Sequence, residues 1–170
     1  DPKTGRYYTV KGYGKTEYRD VGNVNPKLVG EGTSWFWHQM VMGDKADCIP
    51  GLPMLAGRLA NIYVPTKKAN PNRKAVKCGE AKAVAMLKDV YDDNTAAFRV
   101  MEAYEYWYGS EALEMFVEQA FLLWMRRTTK LNDVIVYLKS VGIQARFSEN
   151  QKQLLRGYQA KAKALLQEGD

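Results

Sequence analysis

Three carboxylates in the first part of the chain have the residue type and spacing that acid–base chemistry would use. Glu17 and Asp20 lie close together, and Glu31 comes shortly before an aromatic segment that begins at Trp35. Glycan hydrolysis uses a pair of carboxyl groups, and a carboxyl group packed against aromatic rings acquires the raised pKa that a general acid needs. One hypothesis is therefore a carboxylate-dependent, lysozyme-like glycan hydrolase centred on Glu31, with Glu17 and Asp20 as the other candidates.

The rest of the catalytic inventory is short. His38 is the only histidine, and its apolar surroundings in the sequence favour a structural role in the core over that of a catalytic base. The chain has no Glu-x-x-His pair of the ferritin-like di-iron type and no CxxCH haem-attachment motif. We therefore expect no metal and no cofactor, and a binding protein rather than an enzyme.

Four aromatic residues are concentrated in one short segment of the second half: Tyr104, Tyr106, Trp107 and Tyr108. On a helix these rings point in several directions, so they cannot all enter one core. Tyrosine and tryptophan are typical anchors of protein interfaces, and we interpret the four as partner-binding residues. Packing against the N-terminal part of the chain is the alternative. Residues 108–120 resemble the Trp and Tyr helical modules of secreted oomycete effectors, and we assign no residue's role from that resemblance.

A basic loop is predicted over residues 65–79. Its cations lie among proline and asparagine and are Lys67, Lys68, Arg73, Lys74 and Lys77. Tyrosines also alternate with lysine and arginine over residues 6–19, and cations interleaved with aromatic rings can bind nucleic acid. Binding to a polyanion is therefore a further alternative function. A purely solvated loop is the other interpretation.

The two cysteines, Cys48 and Cys78, are each followed by turn-forming residues, which suits a disulfide that closes a long loop. Such a bond would place the protein outside the cytosol, in a secreted or periplasmic setting. Two unpaired thiols in a cytosolic protein are the alternative, because pairing cannot be read from two residues alone.

Charge is unevenly distributed along the chain. The formal net charge is +6, yet residues 89–118 form an acidic block between two basic segments. A dipolar surface of this kind can orient partners or bring subunits together. Together with the aromatic segment, it favours a non-enzymatic protein that binds another protein, either as an effector-like factor or as a subunit of a larger assembly. The sequence predicts neither the partner's identity nor an oligomeric state.

The elements that position these residues are mainly helical. With 170 residues, 46% of them hydrophobic, the chain suits a single domain over residues 1–170, and no apolar run is long enough for a membrane span. We expect an extended or β arm and loop at 1–33, with extended segments near Tyr7 and Tyr18 and the loop over 22–32. Buried helices follow at 34–64, the second of them starting at Pro53, and then the basic loop at 65–79. A helical bundle is expected at 80–167, with helix caps near Asp92, at Ser110 and at Ser148. The predicted fold class is thus a mainly α bundle of about five to six helices with a Gly- and Tyr-rich N-terminal arm or small β element.

Overall fold

The computed structural model describes residues 12–20, 26–68, 70–124 and 133–143, with residues 153, 156, 157 and 160 as single positions. The described residues fall into two compact units, one ending at Leu123 and the other beginning at Trp124. The single domain predicted over residues 1–170 is not tested by this division and stays a prediction. The strand predicted near Tyr7 and most of the helix predicted after Ser148 lie outside the described residues.

The protein is mainly helical with two small sheets, which confirms the predicted fold class at that level. The strands are β1 (Thr16–Arg19), β2 (Lys27–Gly30), β3 (Met54–Leu55) and β4 (Val76–Lys77). The α-helices of the larger unit are α1 (Gly32–Met42), α2 (Gly57–Tyr63), α3 (Glu80–Leu87), α4 (Asp93–Tyr108) and α5 (Ala112–Leu123), with a 3-10 turn at Gly109–Glu111 between the last two. The smaller unit contains α6 (Asp133–Ser140).

Strands β1 and β2 form an antiparallel hairpin that leads into α1. Thr16 lies opposite Gly30, and Arg19 lies opposite Lys27. Gly30 is required because a Cβ there would fall 2.5 Å from the Trp35 ring. The sequence predicted strands near Tyr7 and Tyr18 and a loop over residues 22–32, so the position of β2 was missed.

Helix α1 is the centre of the larger unit. It contacts the hairpin strands and helices α3, α4 and α5. It is apolar on nearly every side, as the sequence predicted for a core helix, and it ends where Gly43 adopts a φ of 74°. The Trp37 ring lies 6.3 Å from the Phe116 ring of α5, and Phe116 lies 5.3 Å from the Tyr104 ring of α4. These three aromatic side chains therefore join the three main helices.

Polar side chains buried on α1 are satisfied either by a group from another helix or by the backbone of α1 itself. The Thr33 hydroxyl and the Trp37 indole both donate to Asp93 Oδ1, at 2.5 and 3.2 Å. His38 Nδ1 lies 2.7 Å from the Ser34 carbonyl oxygen, which accepts a hydrogen bond from the neutral ring. Burial lowers the pKa of His38, and this hydrogen bond opposes the shift in part. The structural role predicted for His38 is what the geometry supports.

Helix α2 begins later than the sequence predicted. Pro53 was expected to start a helix, but its carbonyl accepts a hydrogen bond from the Cys78 amide, and the following residues form β3. The helix starts only at Gly57, whose missing side chain makes room for the Arg73 backbone carbonyl. The guanidinium of Arg73 then donates at 2.6 Å to the carbonyl oxygens of Ala60 and Val64, which caps the end of α2.

The two helices that follow α3 begin near their predicted start signals. Asp92 accepts from the Thr95 amide and hydroxyl and caps α4, as its residue type indicated. The predicted cap at Ser110 instead lies inside the 3-10 turn that leads into α5. In the smaller unit, Trp124 donates to Asp133 at 3.1 Å, and its ring stacks on Tyr137.

The Arg73 cap makes a stability prediction. Arg73→Ala removes a charged donor from two carbonyl groups and is expected to lower the free energy of unfolding by about 1.5 to 3 kcal/mol. Urea denaturation measures the change. Lys74→Ala is the matched control, because Lys74 is exposed and its loss should change stability by no more than about 0.5 kcal/mol. Equal effects of the two variants would contradict the capping role.

Candidate protein-binding surface

Side chains of helices α2 and α4 meet at the surface. The Arg58 guanidinium lies 5.6 Å from the centre of the Tyr106 ring, and one and a half turns further along α2 the Arg99 guanidinium lies 4.9 Å from the Tyr63 ring. The Tyr63 hydroxyl donates to Glu102 at 2.8 Å. Two cation–π contacts and one hydrogen bond therefore connect the helices.

The rotation of about 100° per residue along α4 separates the four predicted partner-binding aromatics. Tyr104 is fully buried, and its hydroxyl donates to the Met40 carbonyl at 2.8 Å. Tyr106 and Trp107 point outward, with 44% and 39% of their surfaces exposed. Tyr108 is partly exposed and lies 5.7 Å from Tyr104, ring to ring. Tyr104 is therefore a core residue, and its burial does not support the partner-binding role predicted for it.

Exposed apolar side chains extend the surface around Tyr106. Ile62 follows Arg58 by one turn of α2, so the two lie on one face of that helix. Phe98 precedes Tyr106 by about two turns of α4. Ile62 is 60% exposed and Phe98 is 54% exposed. We define the α2–α4 surface by the residues just described: Arg58, Ile62, Tyr63, Phe98, Arg99, Glu102, Tyr106 and Trp107.

The charged groups of this surface are held next to aromatic rings. Partial burial, and after it the hydrogen bond to Glu102, raise the pKa of Tyr63 to about 12. The phenol is therefore neutral at physiological pH and remains a donor to the Glu102 carboxylate. Sequence reasoning identified Tyr106 and Trp107 but missed Arg58 and Tyr63, because nothing in the sequence indicates that α2 lies beside α4.

The three candidate catalytic carboxylates lie on or next to the hairpin. Glu17 forms ion pairs with Arg19 and Lys15, and these partners, the Arg19 hydrogen bond first, lower its pKa. Glu31 is exposed at the start of α1, and Asp20 is exposed after β1. The register places Glu17 and Glu31 on one face of the hairpin as diagonal neighbours. A general acid needs a raised pKa, and Glu17 has the opposite shift, so Glu17 is not suited to that role. The hydrolase hypothesis centred on Glu31 stays a prediction.

A partial phosphate-loop sequence, Gly14-Lys15-Thr16, also lies here, and sequence reasoning missed it. In phosphate-binding loops these residues lead into a helix whose N-terminus holds the anion. Here Thr16 begins strand β1 instead, and its hydroxyl lies 3.0 Å from the Ser34 hydroxyl. The segment therefore lacks the geometry of a phosphate-binding loop.

The basic loop retains four exposed lysines: Lys67, Lys68, Lys74 and Lys77. Arg73 differs, because its guanidinium is engaged by the carbonyl groups at the end of α2. Arg73 is therefore a structural cation and not an available phosphate ligand. Polyanion binding through the other four stays a prediction.

The predicted Cys48–Cys78 disulfide is absent, and both cysteines are free thiols that are not close together. Cys48 is exposed in the turn between Asp44 and Ile49, which pair as a short bridge, and its φ is 58°. Cys78 follows β4 and is partly buried, and burial raises its pKa to about 12. Cys48 lies in a short turn, and Cys78 follows a strand. The turn-forming residues beside each cysteine therefore belong to separate local structures and do not indicate a disulfide.

Two further site types can be addressed within the described ranges. No three His, Cys, Asp or Glu side chains there come together as metal ligands would. Nor does any helix in the described part of the chain combine the length and apolar character needed to cross a bilayer.

In comparisons with known proteins, no family model matches the chain, and neither a curated protein nor a solved structure matches it.

The two thiols should differ in reactivity. The thiolate is the form that iodoacetamide modifies, and a pKa of about 12 leaves Cys78 almost entirely protonated at pH 8. We expect Cys48 to be alkylated quickly and Cys78 slowly in the folded protein. The alkylation rate of Cys78 should increase as the pH rises. Time-resolved mass spectrometry of the native protein measures both rates. If neither thiol is alkylated until the protein has been reduced, the result supports the predicted disulfide and contradicts the free thiols.

Proposed function

We propose that this protein acts by binding another protein through the α2–α4 surface. The observation that carries the proposal is the exposed Tyr106 ring, held under the Arg58 guanidinium and adjacent to exposed Trp107. Tyrosine, tryptophan and arginine are the residue types that dominate the binding energy of protein interfaces. All three meet here on one exposed surface.

The surface is arranged so that little order has to be gained on binding. Its residues project from two helices rather than from loops. The Arg58–Tyr106 and Arg99–Tyr63 contacts and the Tyr63–Glu102 hydrogen bond restrict side chains that would otherwise lose rotamer freedom in a complex. Since immobilising such side chains costs about 0.5 to 1.5 kcal/mol each, this prior ordering favours affinity.

The charges of this surface are mixed. Arg58 and Arg99 lie on it together with Glu102, and α4 belongs to the acidic block of residues 89–118. A uniformly anionic nucleic acid backbone can pair only with the two arginines, whereas a protein can place polar groups against both Arg58 and Glu102. The surface therefore suits a mixed aromatic and polar interface.

The wider proposal is a non-enzymatic role, either as an effector-like factor or as a subunit of a larger assembly. It includes the helical bundle over residues 80–167, of which α3, α4 and α5 form the start. A secreted or periplasmic location is part of the same proposal. That location loses the support of the disulfide, because both thiols are free.

The proposal predicts that Tyr106→Ala and Trp107→Ala each weaken binding to the purified partner by roughly 30-fold or more, since anchors of this kind contribute at least about 2 kcal/mol. The partner is first isolated with the wild-type protein, and dissociation constants are then measured by calorimetry. Unfolding free energies should change by less than about 1 kcal/mol, because both side chains are partly exposed.

Tyr91→Ala is the matched control. Tyr91 is 79% exposed and precedes α4, at the opposite end of that helix from Tyr106. Its loss should leave the dissociation constant unchanged. A similar loss of affinity in the Tyr91 and Tyr106 variants, or a large loss of stability in the Tyr106 variant, would contradict the proposal.

A further inference from the structure

A cleft lies between the end of α1, the turn that follows α1 and the start of α3. The cleft has a volume of about 210 Å³, below the range of pockets for drug-sized ligands, and suits one side chain or one small molecule. Its wall includes the partly exposed ring of Trp35, which α1 presents beside Gly30 of the hairpin. None of these residues belongs to the α2–α4 surface.

Two carboxylates line the cleft together with Trp35. Asp44 is fixed in place, because Oδ2 accepts from the Gln39 amide at 2.9 Å and Oδ1 accepts from the Ala46 backbone N–H at 3.0 Å. Glu80 is exposed at the first position of α3, and within the described residues no basic side chain forms an ion pair with it. Each carboxylate oxygen of Asp44 still has an unused lone pair for a further donor.

The Trp35 ring supplies the aromatic part of the cleft wall. Aromatic rings beside carboxylates are the arrangement that recognises organic cations, because ring faces and carboxylates both attract positive charge.

The local charge agrees with this chemistry. The lining contains two carboxylates and one cation, Lys45, whose side chain is exposed. The formal charge of the lining is therefore −1, in a protein whose net charge is +6. We propose that this cleft binds an alkylammonium or alkylguanidinium group, with Trp35 against the cation and Glu80 and Asp44 accepting its hydrogen bonds. The group is either a free small molecule or a lysine or arginine side chain of a peptide.

Titration with n-butylammonium and n-butylguanidinium, followed by the Trp35 indole N–H signal in NMR spectra, tests the proposal. Trp35→Phe assigns that signal among the four tryptophans. We expect saturable shifts with both cations and much weaker ones with n-butanol, which has the same chain without the charge. Equal response to butanol and butylammonium, or no saturation with either cation, would overturn the proposal.

Charge variants provide the second measurement. Glu80→Gln keeps the shape of an exposed side chain and should weaken cation binding about tenfold, whereas Lys45→Ala should strengthen it by removing the opposing charge. Glu118→Gln, on an exposed position of α5, is the matched control and should have no effect. Unchanged binding in both Glu80→Gln and Lys45→Ala would refute the role of the carboxylates.

The source of the cation is distinguished by capped peptides that contain a single lysine or arginine. Tighter binding of these peptides than of the free butyl cations indicates a side chain presented by a partner. Tighter binding of the free cations indicates a small-molecule ligand. Because the cleft and the α2–α4 surface share no residues, failure here leaves the Tyr106 and Trp107 prediction standing, and failure there leaves this one standing.

Discussion

The burial of α1 on nearly every side is the constraint on which the larger unit depends. A helix that is apolar all round is stable only when other elements cover it, so the hairpin and helices α3, α4 and α5 are arranged around it. Two buried polar side chains of α1 also need a hydrogen-bond acceptor from another helix. Thr33 and Trp37 need the Asp93 carboxylate, and an unsatisfied donor in that position would cost about 1 to 3 kcal/mol.

The same arrangement creates the candidate binding surface. Tyr104 turns inward, packs on Phe116 and bonds to the backbone of α1, which fixes the rotation of α4 about its axis. Once that rotation is fixed, Tyr106 and Trp107 must face outward, and Tyr106 meets Arg58 of α2. The exposure of these aromatic residues is therefore a consequence of core packing.

Elements with local signals could be predicted, and elements that depend on distant pairing could not. The apolar run before Gly43 predicted α1, and Asp92 predicted the start of α4, because both signals lie in the helix or directly next to it. Strand β2 lies in a Gly-, Asn- and Pro-rich stretch that reads as a loop and is held by pairing with β1. Pro53 likewise does not start the helix predicted there, because its carbonyl accepts a hydrogen bond from the amide of Cys78, a residue far along the chain.

The candidate sites divide in the same way. The aromatic segment could be identified from the sequence as too large for one core face, but which rings are exposed depends on the direction of α4. The cleft was not predictable, because Trp35, Asp44 and Glu80 come from three separate segments and none is part of a recognised motif. Each of these carboxylates is ordinary in the sequence. Only the turn after α1, held by the bridge of Asp44 with Ile49, places Asp44 beside Trp35 and the start of α3, where an aromatic ring and two carboxylates can act on one ligand.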